Sequence, residues 1–137
     1  MCRNLLFSLL LISWTGLSLL QAAEQDAELA LLAGEYTAEF SFRTGQEPAK
    51  KEVLAALTLE IKADSWNQKF RGDLAPYKIT LGHVNNSKTM LLTHQKVDAV
   101  RNFTYVLKDD SLTVTEQLGD DGEVAITVWK RKPKPAK

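Results

Sequence analysis

Cysteine is nearly missing from this chain of 137 residues: Cys2 is the only one. No internal disulfide can staple the fold, and a thiolate zinc site is excluded. Histidine is scarce too, with His83 and His94 alone, and no His-x-x-x-His or Asp-x-His spacing that would hold a metal. Neither sign of charge prevails, 17 Lys+Arg standing against 17 Asp+Glu, which speaks against a nucleic-acid binder built on a basic face. Seven Gly and four Pro are too few for a collagen-like or low-complexity chain. Gly-x-Ser-x-Gly, Walker-type and Gly-rich phosphate loops are all absent. The expectation is therefore a single domain that is not an enzyme and carries no cofactor or metal.

What is present begins with a leader. Arg3 precedes an apolar stretch from Leu5 to Leu20, and Gln21-Ala22-Ala23 leads into Glu24-Gln25-Asp26. A charged start, a short apolar core and small residues at the exit are the pattern of a secretory signal peptide. The core is shorter than the roughly 20 residues a membrane-crossing helix needs. Residues 1–23 are read as a signal peptide cleaved near Ala23, the protein being exported to a periplasm or outside the cell. Cys2 would leave with it. Charge then divides between a body and a tail: 24–129 holds eleven cations and seventeen anions, whereas Lys130 to Lys137 holds five cations and no acid. The tail's prolines forbid helix and inner strand, so 130–137 is expected to be a disordered basic end.

Past residue 34 the apolar residues recur every second position, the period of a half-buried strand. Glu35 to Arg43 alternates cleanly, as do Leu57 to Ala63, Tyr77 to Leu81, Phe103 to Leu107 and Leu112 to Thr115. Trp66 to Arg71, Thr89 to Val97 and Val124 to Trp129 complete eight segments, separated by turn-forming pairs such as Asn85-Asn86 and Asp109-Asp110. Eight short strands on brief turns predict an all-β fold, a single antiparallel up-and-down barrel spanning 24–129. Helix is confined to a turn or two at Ala27 to Leu32, with a further one near Ala49 to Ala56.

Nine aromatics lie beyond the leader. Alternation turns Tyr36, Phe40, Phe42, Phe70, Tyr77, Phe103 and Tyr105 inward, with Trp66 joining them. They either line a pocket for a flat or greasy ligand or simply fill a small barrel. Trp129 falls on the opposite face from Val128 and is expected to be exposed, a candidate contact surface. Other candidates have blander readings. The Asp109-Asp110 and Asp120-Asp121 pairs suit turns better than calcium, and a lone histidine as a haem ligand is a minor alternative. Glu39 and Glu60 are read as solvated surface rather than an acid–base pair. The Asn85 and Asn102 sequons matter only in a glycosylating host.

The segment Leu31-Leu32-Ala33-Gly34-Glu35-Tyr36 resembles the entry of the calycins, the lipocalin-like eight-stranded barrels. There a short helical turn leads to Gly-x-Trp and a basic residue near the last strand covers the aromatic. Tyr36 stands here where that pattern has Trp, and Arg131 matches the basic partner. The chain is also similar to small exported bacterial lipocalin-like domains of unassigned activity, through Asp64-Ser65-Trp66, Pro76-Tyr77-Lys78-Ile79 and the run Tyr105 to Val114. The resemblance implies that Gly34, Tyr36 and Arg131 close the barrel base. Function is then expected to be binding of a small apolar or amphipathic ligand by Phe40, Phe42, Trp66, Phe70, Tyr77, Phe103 and Tyr105. The alternative is a protein-interaction module, a protease-inhibitor-like solid barrel using its loops or Trp129. No nucleic acid and no membrane span enter either reading.

Overall fold

A computed structural model describes residues 22–136; the leader expectation falls on 1–21, outside the described residues. A helix, α1 (22–32), precedes the strands and is longer than the one or two turns the sequence predicts. The strands are β1 (Gly34–Arg43), β2 (Leu57–Lys62), β3 (Ser65–Phe70), β4 (Asp73–Val84), β5 (Ser87–His94), β6 (Val100–Lys108), β7 (Ser111–Leu118) and β8 (Glu123–Arg131), with one short helix, α2 (Lys51–Ala55), between β1 and β2. Each strand pairs antiparallel with the next, and β1 also pairs with β8, so the sheet closes into an up-and-down barrel. Closure leaves no strand edge open to pairing with another chain. Among the described residues no helix is long and apolar enough to cross a membrane.

Turn chemistry sets the two ends apart. At the end where β1 begins, two-residue links join β2 to β3, β4 to β5 and β6 to β7. Their first residues, Ala63, Asn85 and Asp109, have positive φ, which Asn and Asp adopt readily and Ala only at a steric cost. The opposite end carries the α2 connection and the longer β5–β6 and β7–β8 loops. It also carries the Arg71-Gly72 turn, where both residues have positive φ, as a tight hairpin of the twist-matched kind requires.

Two expectations about which side chains face inward are corrected. The β1–β8 register shifts between Ala38 and Phe40. A bulge inserts one residue, and one residue reverses every side chain beyond it. Ala38 lies opposite Trp129, but Phe40 then lies opposite Val128 and Phe42 opposite Ile126. Phe40 and Phe42 therefore stand on the outer face, Phe40 40% exposed. Trp129, by contrast, lies opposite Leu112 and is only 1% exposed. The expected exposed Trp is core. The outer face of β1 and β8 is apolar as well, at Phe40, Phe42, Ile126 and Val128, and alternation alone would turn such residues inward. β8 also runs two residues beyond the expected limit, drawing Lys130 and Arg131 out of the tail. Residues 132–136 are exposed and form no regular element.

Candidate functional site

The base holds the first of two side-chain groups. Tyr36 and Arg131 are direct cross-strand partners, and the Arg131 guanidinium carbon stands 5.3 Å from the Tyr36 ring centroid. Arg131 Nη2 and Nε donate to Tyr36 Oη at 2.8 and 3.2 Å, and that hydroxyl donates to the Leu32 carbonyl at 2.7 Å. Gly34 belongs here because its φ is +151° and a Cβ would sit 3.3 Å from Arg131 Nε. Gly34→Ala is expected to cost about 1–3 kcal/mol, read as a lower thermal midpoint by circular dichroism. Burial, partly offset by the Arg131 hydrogen bond and charge, raises the Tyr36 phenol above its ordinary value. The unfolded chain then ionises first, so this contribution to stability is intact below about pH 10 and declines as pH rises beyond it. Tyr36→Phe should flatten that alkaline decline in urea titrations. An unchanged slope would contradict the assignment.

Above the base the interior is filled. Leu32, Tyr36, Met90, Leu92 and Leu112 are 0% exposed and Tyr105 is 4%. Trp66 on β3, Phe103 on β6 and Trp129 on β8 come from strands that are not neighbours. Yet the Trp66 ring lies 6.4 Å from Phe103, stacked, and 6.2 Å from Trp129, edge-on. Rings meeting across the lumen make a floor.

On the α2 side of that floor the inward positions become only half-buried, as at Ser41, Gln68, Ala75, Leu118, Ala125 and Thr127, so solvent enters. This more open end of the lumen, the cup, carries a mostly polar arc along β3 to β7. Trp66 Nε1 donates to Gln68 Oε1 at 3.3 Å. Tyr77 meets the His94 ring edge-on at 4.9 Å. Arg101 and Glu116 form a two-bond ion pair, Nη2 to Oε2 at 2.7 Å and Nε to Oε1 at 3.2 Å. Both point into the lumen, since Arg101 lies opposite Leu92 and Glu116 opposite Phe103. The guanidinium also stands 4.9 Å from the Phe103 centroid and has Tyr77 as a further hydrogen-bond partner. The Glu116 bonds, opposed by burial, hold Arg101 above its ordinary value, so it stays cationic. His94 Nδ1 accepts from the amides of Lys96 and Val97 at 3.0 and 3.2 Å; the ring thereby shapes the β5–β6 loop at the rim, and the neutral tautomer bears its proton on Nε2.

Of the residues expected to bind ligand, the structure brings Trp66, Tyr77 and Phe103 to the cup or its floor. Phe70 stands at the rim, 38% exposed, with the Arg71 guanidinium 5.0 Å from its ring centroid. Tyr105 is deeper in the core, and Phe40 and Phe42 are outside. Sequence reasoning does not place Gln68, Arg101 or Glu116 at a site, weighs the histidines only as metal or haem ligands and expects Trp129 to be exposed. A signal existed for the ion pair: Arg101 shares the parity of Phe103 and Tyr105, and Glu116 that of Leu112 and Val114. A charge at an inward parity is informative in a way that an inward Leu is not. Among the described residues no group of three or more His, Cys, Asp or Glu could hold a metal ion.

No protein-family model matches the chain, and neither a curated protein nor a solved structure is significantly similar to it. The barrel alone does not make it a lipocalin.

Proposed function

We propose that this is an exported, non-enzymatic, lipocalin-like binding protein that holds a small apolar or amphipathic ligand in the cup. The observation that carries the reading is the Arg101–Glu116 pair, turned inward over an aromatic floor, with side chains 36% and 14% exposed. An ion pair at such a position is a poor stabiliser compared with apolar residues of the same volume, because both charges lose hydration. A binding site, however, is mostly apolar with a few converging polar groups. Trp66 and Phe103 offer apolar surface, while Gln68, Tyr77 and the ion pair offer orientation. Export rests on the leader composition. Native mass spectrometry on protein purified from its own source, beside the same sample denatured, tests the reading. Extra mass that disappears on denaturation is the expected result; bare apo mass at every concentration would count against a tight-binding carrier.

A further inference from the structure

We infer that the ligand is uncharged and presents an oxygen acceptor, as an alcohol, ketone or amide does. This rests on the binding reading above and specifies its chemistry. Two observations carry it. First, below a rim that bears the exposed charges Arg43, Asp73 and Glu123, the cup wall holds one cation and one anion, Arg101 and Glu116, and each is already committed to the other through two hydrogen bonds, the shorter 2.7 Å. Arg101 has Tyr77 and the Phe103 ring as further neighbours. An anionic ligand would have to displace Glu116 from Arg101, leaving a carboxylate that is 14% exposed without its partner. A cationic ligand would have to displace Arg101. Either exchange strands a partly dehydrated charge, which is costly. A neutral head group leaves the pair intact and uses the remaining hydrogen-bonding capacity of Gln68, Tyr77 and the pair itself.

Second, Trp129 Nε1 is buried and has no hydrogen-bond partner, the one such side-chain nitrogen or oxygen among the described residues. Trp129 is 1% exposed and meets Trp66 in the floor. A buried donor left unpaired calls for an explanation. An acceptor oxygen reaching the floor would supply what the chain does not, while an ammonium head brings only further donors.

Three ligands sharing one tail separate the cases: 1-decanol, decanoate and decylammonium, titrated into the purified protein by calorimetry at pH 7. Decanol is expected to bind at least tenfold more tightly than either ion. In Glu116→Gln, which frees the Arg101 cation, decanoate affinity should rise at least tenfold over wild type. Wild-type protein that prefers decanoate or decylammonium overturns the inference while leaving the cup a binding site. Failure of all three to bind overturns both the inference and the reading beneath it. The wild-type comparison stands even if the variant does not fold.

Discussion

Trp66→Ala is expected to lower stability by about 3–5 kcal/mol. Trp66 is 1% exposed, and its indole is the ring that touches both Phe103 and Trp129. Removing it opens a large void at the level where β3, β6 and β8 meet across the lumen, and a closed sheet cannot collapse around such a void without breaking its register. The stability of a natural domain is about 5–15 kcal/mol in total, so the variant would sit close to unfolding. Urea titration should show a lower midpoint with the slope preserved. Trp129→Phe makes the contrast. It also removes volume, but it deletes the one buried side-chain donor without a partner among the described residues, and the relief offsets part of the loss. A Trp66→Ala effect below about 1 kcal/mol would mean that the floor does not close the lumen.

The second large effect lies at the cup wall and depends on which side of the ion pair is removed. Glu116→Ala leaves Arg101 cationic beside Phe103 without its carboxylate. Breaking a fully buried pair in this way costs about 3–5 kcal/mol. Arg101 has a side chain 36% exposed, so water recovers part of its hydration and about 1–3 kcal/mol is expected. The double variant Arg101→Met/Glu116→Leu removes both charges and should return to within about 1 kcal/mol of wild type, or exceed it. The two changes are thus strongly non-additive, a signature that chemical denaturation of the single and double variants reads directly. Additive losses would show that the pair stabilises the barrel in its own right, and the argument that its placement serves a ligand would fall.

Much of the barrel is legible in the sequence alone. Period-two alternation places eight strands because a pleated strand half-buried against a core has no other pattern, and the short Asn- and Asp-bearing links make antiparallel neighbours of consecutive strands. The trio Gly34, Tyr36 and Arg131 was legible by resemblance, and the structure brings the three together at one end. The cup was not legible as a site, for two physical reasons. Alternation fixes which residues share a face but not which face is the inner one. In β8 the run Val124 to Trp129 is apolar at nearly every position, and only the pairing with Leu112 places Trp129 inside. A bulge, moreover, is a property of two strands in register, so nothing in β1 taken alone announces that Phe40 and Phe42 change sides. Convergence is tertiary in the same sense. Arg101 and Glu116 are fifteen residues apart, and they meet over Phe103 because the β6–β7 hairpin folds them onto one wall while closure brings Trp66 and Trp129 beneath. The sequence by itself determined strand number, order and the chemistry of the base; the closed sheet decided what faces the lumen, because inside and outside exist only once the barrel has closed.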